Sequence, residues 1–158
     1  MDVDVTTEVV IARPRQDVAK FAADPDNIPA WYANISVVEW ITPRPLAVGT
    51  QLHFVARFLW RRLIYTYEVA EYIPAARLVM RTDGGEMTME TTYVWEDAPA
   101  GATRMVLRNR GTLGSSGALS RLVMRRVFEA GMRRANRKDL ERLRKALEVR
   151  LTRPSVPF

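Results

Sequence analysis

Residues 114–151 read GSSGALSRLVMRRVFEAGMRRANRKDLERLRKALEVRL, and this stretch decides the fold. After the Gly114–Gly117 break it contains no proline, and arginine, leucine, glutamate and alanine dominate it. Ser115 or Ser116 can cap its start. The pattern predicts one helix from about Ala118 to Leu151, roughly 45 Å long at 1.5 Å per residue. Leu119, Leu122, Val123, Val127, Ala130, Leu140, Leu143 and Leu147 supply its apolar stripe. Gly131, near the middle, marks a bend, a close approach or simple tolerance of glycine.

Upstream, the hydrophobic period changes from helical to two. Val3, Val5, Thr7, Val9 and Ile11 alternate with Asp2, Asp4, Thr6 and Glu8, the signature of a half-buried strand. Pro14 suits the first turn of a short helix over 14–22. Asp24 then caps a second short helix that begins at Pro25, ends near Tyr32 and is kept short by Pro29. Strand-like segments follow at Ile35–Ile41, Thr50–Trp60, Arg62–Ile73, Arg77–Thr82, Glu86–Glu96 and Thr103–Leu113. Turns are expected at Trp60-Arg61, Pro74-Ala75-Ala76, Asp83-Gly84-Gly85 and Pro99-Ala100-Gly101. The sum is an α+β fold. A curved seven-stranded antiparallel sheet wraps around the long C-terminal helix, with two short helices after the first strand. Residues 1–151 are expected to form one domain and 152–158 a loose tail. One helix stripe cannot fill a strongly curved sheet along its whole length, so a cavity should remain between them, of a kind suited to small molecules.

Composition removes several classes of chemistry. The chain has 158 residues, no cysteine and one histidine. Disulfides, thiolate metal sites and a cysteine nucleophile are therefore absent, and a zinc site is disfavoured. The first residues carry neither a basic nor an apolar secretory region, and no apolar run approaches a membrane span, so a soluble, cytoplasmic protein is expected. The net charge is +6, with much of the arginine in 121–153. Glu129, Asp139, Glu141 and Glu148 are interspersed there, with Glu141–Lys145 a helical ion pair, so a solvated outer face is the first reading. Aromatic residues for stacking bases are missing along the arginine-rich 133–153, which speaks against nucleic acid. A transient contact with anionic membrane beside a pocket mouth is the better-motivated surface role.

In combination, several segments resemble the START-related (Bet v 1-like) helix-grip superfamily, in its bacterial polyketide cyclase/dehydrase and lipid-transport branch. Val10-Ile11-Ala12-Arg13-Pro14 through Val18, Phe21, Asp24, Pro25, Asn27, Ile28, Pro29 and Trp31 resemble its first strand and paired short helices. Val48-Gly49-Thr50, Tyr67-Glu68-Val69, Pro74, Arg77-Leu78-Val79 and Gly101-Ala102-Thr103-Arg104-Met105 are similar to its strands and turns. Asn136–Glu148 resembles the closing helix. The resemblance implies an internal pocket for an apolar ligand such as a lipid, quinone or polyketide, with no cofactor and no catalytic residue to transfer. A cyclase or aromatase is the alternative activity.

Strand parity nominates the lining. Leu52, Phe54, Ala56 and Phe58 share one face of their strand, as do Met87, Met89, Thr91, Tyr93 and Trp95 of theirs. Met105, Leu107 and Asn109 oppose the arginines of the last strand, and unpaired charge belongs in solvent. For 62–73 parity allows either facing, and Tyr65 and Tyr67 are placed inward. Met124, Phe128 and Met132 recur at i, i+4 and i+8 of the long helix. The candidate ligand-binding set is therefore Leu52, Phe54, Phe58, Tyr65, Tyr67, Met80, Met87, Met89, Tyr93, Met105, Asn109, Met124, Phe128 and Met132. Methionine adapts to irregular apolar guests, and Tyr67, Tyr93 and Asn109 are the polar handles. His53 falls on the outer parity beside Gln51 and Arg57, and Glu68 is read as a surface carboxylate. Neither is expected to catalyse.

Overall fold

The computed structural model describes residues 1–58, 61–84, 87–114 and 118–149. The elements are β1 (Asp2–Ile11), α1 (Arg15–Ala23), a 3-10 turn (Pro25–Asn27), α2 (Ile28–Trp31), β2 (Ile35–Trp40), β3 (Gln51–Phe58), β4 (Arg61–Ile73), β5 (Arg77–Gly84), β6 (Met87–Ala98), a second 3-10 turn (Pro99–Gly101), β7 (Ala102–Leu113) and α3 (Ala118–Val149). The seven strands form one curved antiparallel sheet in the order β1-β7-β6-β5-β4-β3-β2. From β2 to β7 the chain is a plain meander. β1 then pairs with β7, from Asp2 opposite Thr112 to Ile11 opposite Thr103. The first two strands are thus opposite edges, and α1 and α2 carry the chain from one to the other.

Local chemistry explains the connection. Pro14, with φ −58° and ψ 147°, stands before α1 rather than inside it, as a residue without an N–H can. The Asp24 carboxylate accepts the Asp26 N–H at 3.0 Å and caps the next segment. That segment is not one helix but a 3-10 turn followed by the single turn α2, because Pro29 supplies no N–H to extend it.

The sheet's outer face is charged. Arg108 chelates Asp4 (2.8 and 2.6 Å), Arg104 bridges Glu8 and Glu96, and Arg81 and Arg110 share Glu90. Exposed pairs of this kind contribute little stability singly, but they leave the inner face as the one that must be covered. On β1, Val3, Val5, Thr7 and Ile11 are buried there, as period-two alternation demands.

α3 covers that face unevenly. Leu140, Leu143 and Leu147 are fully buried against Ile11, Val18, Trp31 and Trp95. Hydrogen bonds fasten the same half: Ala33 N–H to Asp139 Oδ1 (3.1 Å), Ala12 N–H to Glu148 Oε1 (3.0 Å) and Arg13 Nη1 to the Leu147 carbonyl (3.0 Å). The earlier stripe positions Leu122, Val123, Val127 and Ala130 are instead exposed, Val127 by 68 %. The expected continuous stripe is therefore two segments. The leucines of the second half seat in the core. Toward the helix N-terminus helix and sheet diverge and stay tied at the β1 edge, where Glu129 Oε1 accepts the Asp4 N–H at 3.3 Å. The Leu119 side chain, the two serine caps, Trp60, Gly85 and the tail lie outside the described residues. The expected Glu141–Lys145 pair is replaced: Arg144 bonds Glu141 and reaches Glu148 at 2.7 Å.

Candidate functional site

Where the two layers diverge they enclose a cavity of about 560 Å³. Its floor is the inner face of four strands: Phe54 and Ala56 from β3, Leu63, Tyr65 and Tyr67 from β4, Met87, Met89, Thr91 and Tyr93 from β6, and Asn109 from β7. Ile28, Tyr32, Asn34 and Ile35 wall one side, and Val127, Phe128, Gly131, Met132, Ala135, Asn136 and Asp139 of α3 form the roof. The exposure of Asn34, Arg57, Val127 and Phe128 places the mouth at that end, so the cavity is open rather than sealed. Among the described residues there is also a groove of about 620 Å³ near the ends of β1, β6 and β7, but charged side chains such as Asp4, Arg81, Glu90 and Arg110 line it. The inner cavity is the one that combines an apolar wall with a few converging polar groups.

The aromatic floor is held by contact between rings. Phe54 and Tyr67 lie 4.7 Å apart between centroids, Trp31 and Tyr93 5.8 Å, and Tyr93 and Trp95 6.1 Å. Apart from Asn34 and Arg57 at the mouth, the polar lining groups are buried or half-buried. Thr91 Oγ1 donates to Asn109 Oδ1 at 2.9 Å. Burial pushes the Tyr67 phenol up to about 12, against a hydrogen bond with Thr91. Burial also lifts Tyr32 and Tyr93 well above the usual phenol range. All three are neutral hydroxyls at physiological pH, not phenolate bases. Asp139 is the one carboxyl among the described lining residues. Burial raises its pKa, against the Ala33 N–H and the Arg142 guanidinium at 3.6 Å. Such a group can hold or release a proton at the cavity wall. His53 is not part of this: its Nδ1 lies 3.1 Å from Thr66 Oγ1 away from the cavity lining. Glu68 is exposed. Among the described residues no three His, Asp or Glu side chains cluster as a metal site would require.

Nine of the fourteen nominated residues line this cavity: Phe54, Tyr65, Tyr67, Met87, Met89, Tyr93, Asn109, Phe128 and Met132. Leu52, Met80 and Met105 do not. They share the correct face but are fully buried in the core that Leu140, Leu143 and Leu147 close. Met124 does not either: it is 56 % exposed on the half of α3 that stands off the sheet. The Phe58 side chain lies outside the described residues. Parity gives the face of a strand, not the distance along it at which the helix stops touching.

The family model described as "Polyketide cyclase / dehydrase and lipid transport" matches residues 2–148. The chain belongs to that family. The polyketide cyclase/dehydrase and lipid transport fold is equally visible in solved structures. The Zhui aromatase/cyclase from Streptomyces sp. R1128 is 18% identical with a TM-score of 0.79, over 100% of both chains. A Staphylococcus aureus protein of unknown function is 11% identical with a TM-score of 0.81, over 97% of this chain and 98% of that one. A Thermus thermophilus protein is 18% identical with a TM-score of 0.74, over 92% and 97%. At such identities the likeness is one of fold. No curated protein matches significantly.

Sequence reasoning missed several lining residues of this family member, chiefly Tyr32, Asn136 and Asp139. A signal for two of them existed. Asn136 follows Met132 by four residues and Asp139 follows it by seven, so both continue the Phe128–Met132 stripe. A polar residue on an apolar helix stripe is either a packing fault or a site. Tyr32 carried no such signal, because its position depends on how α2 ends.

Proposed function

We propose that this protein binds a small, mostly apolar molecule in the cavity under α3 and carries or presents it. One observation carries this reading: an opening of about 560 Å³ walled mainly by aromatic, aliphatic and methionine side chains, with only a few polar groups converging on it. Ligand sites are typically of that size and make-up. The test is native mass spectrometry of protein purified from its own host, paired with A135W, which places an indole in the cavity roof. The expected result is a co-purifying apolar molecule that A135W loses while keeping its fold. Absence of any guest, together with no uptake of added hydrophobic probes, would remove the proposal.

A catalytic reading has one observation in its favour. Asp139 and the Tyr32, Tyr67 and Tyr93 hydroxyls share the cavity, so a proton donor and acceptors stand beside whatever is bound. A linear poly-β-ketone thioester that gains aromatic ultraviolet absorption with the wild type, and not with D139A, would support a cyclase. An unchanged spectrum leaves binding alone.

We further infer that the cavity mouth docks on anionic bilayers. Leu122, Val123, Met124 and Val127 are exposed beside Arg125, Arg126 and Arg134, and Val127 at the end of this strip lines the mouth. An apolar strip edged with guanidinium groups is complementary to an anionic lipid surface. Co-sedimentation with phosphatidylserine vesicles should exceed that with phosphatidylcholine and fall with salt. V127E should abolish it. Concentration-dependent dimerisation without vesicle binding would assign the strip to a second copy instead.

A further inference from the structure

Two amide groups on opposite walls of the cavity are left over by its internal hydrogen bonding. Asn109, on the floor, is 4 % exposed, and Asn136, in the roof, is 3 % exposed. Both line the cavity. Among the described residues neither Nδ2 has a hydrogen-bond partner. For Asn109 the remaining bonds say which way the amide works. The Thr91 hydroxyl donates to its oxygen, and Thr91 is in turn tied to Tyr67. The acceptor end of the amide is therefore occupied and the donor end is not. This amide points its donor toward the Tyr32 phenol and holds that phenol's pKa down somewhat against burial. The contact falls short of hydrogen-bond geometry and leaves Nδ2 without a full partner. The phenol adds a further hydroxyl beside the same spot.

The surroundings also select the charge of what these donors can meet. Asp139, 2 % exposed, lies one helical turn beyond Asn136 and lines the same cavity. An anionic guest group pressed into this end would face a buried carboxyl across a medium of low polarity, where like charges repel strongly. Arg57, by contrast, is exposed at the rim. An acid would be received there, not within.

We infer that the inner end of the cavity takes a neutral acceptor oxygen, of the ketone, ester or amide carbonyl kind, donated to by Asn109 and Asn136. This rests on the ligand-binding reading above and narrows it: the guest is an apolar body carrying a carbonyl that enters first, with any anionic group left at the mouth. A purely hydrocarbon guest strands two buried NH2 groups, whereas a carbonyl accepts from at least one of them.

The experiment uses the 158-residue protein and three probes built on one rigid tricyclic core: fluorene, fluorenone and fluorene-9-carboxylate. Binding is measured by equilibrium dialysis near neutral pH on wild type, N109L, N136L and the double variant, each checked for an unchanged melting transition. The quantity read is the ratio of fluorenone to fluorene affinity, which cancels any general loosening of the cavity. A drop of roughly tenfold or more in that ratio is expected for the double variant, the scale of one lost buried hydrogen bond. The carboxylate should bind an Arg57→Leu variant more weakly than the ketone does. A ratio that is unchanged in variants still binding fluorene overturns the inference and leaves the ligand-binding reading standing. So does a carboxylate that binds more tightly than the ketone in that Arg57→Leu variant, where the rim offers it no cation. If wild type binds neither fluorene nor fluorenone, the ligand-binding reading itself falls.

Discussion

Asp139 is a carboxyl placed where ionisation is expensive. Desolvation raises its pKa from the ordinary 3.8, and the Ala33 N–H and Arg142 only partly oppose that. A raised carboxyl pKa means the folded state binds the proton more tightly than the unfolded chain does. The cost is absent below the unfolded pKa and fully present once the pH exceeds the folded one, so this residue makes folding less favourable as pH rises. Asp4 and Glu90 have the opposite sign. Hydrogen bonds from Arg108 and from Arg81 hold their pKa values down, and their contribution is lost as pH falls. Asp139→Asn never ionises and can still accept from Ala33. Its melting temperature relative to wild type should therefore climb as the pH rises above about 4, the unfolded value, and level off once the pH has passed the raised folded one. Parallel melting curves for the two proteins across that range check this, and a flat difference would mean the carboxyl is not desolvated. Asn136 and Asp139 were legible as polar breaks in an apolar stripe. The partner of Asp139 across the fold was not, because Ala33 meets it only once the end of α2 is placed, whereas Arg142 stands three residues along the same helix.

The elements show which parts of a pattern a sequence records. Period-two alternation found every strand, and the outward arginines of β7 predicted its buried face correctly. The bulge between Val69 and Glu71 shows the limit: it shifts the β4–β5 register midway, so parity read from one end of β4 fails at the other. The long helix was legible as a helix, but not as two halves with different environments. Mutations should separate those halves. Leu143→Ala, in the seated half, removes a fully buried side chain and is expected to cost about 2–5 kcal/mol. Gly131→Ala, in the roof of the cavity, meets nothing within 4 Å of the added Cβ. It should stabilise the helix by up to about 1 kcal/mol, or about 2–4 °C in Tm. Gly111→Ala on β7 makes the contrasting case. Its Cβ would collide with the Thr88 carbonyl oxygen, inside the β6–β7 ladder. Two backbones would have to part, which should cost about 1–3 kcal/mol or more. Urea denaturation of the three variants checks all three signs, and a stabilised Gly111→Ala would contradict the close approach of β6 and β7.

At the scale of the whole molecule, the uneven grip predicts uneven stability. The Leu140–Leu147 segment shares the core with α1, α2 and β1, so its amides should open only with global unfolding. The turns carrying Val123, Met124 and Val127 bury almost nothing and are free to open locally at much lower cost. Hydrogen exchange should show this as a break in protection near Gly131, with the earlier turns exchanging orders of magnitude faster than the later ones. A guest in the cavity contacts Val127, Phe128 and Met132 from below, so it supplies the apolar surface that the sheet does not. Binding should then slow exchange selectively in 122–132. It should also raise global stability by about 2.7 kcal/mol at a guest concentration of 100 times Kd. Both effects come from one cause, the filling of the space where helix and sheet diverge, so they should rise together as guest is titrated. Protection that is uniform along α3 before any guest is added would mean the helix is seated along its whole length. The cavity would then be too constricted to admit anything.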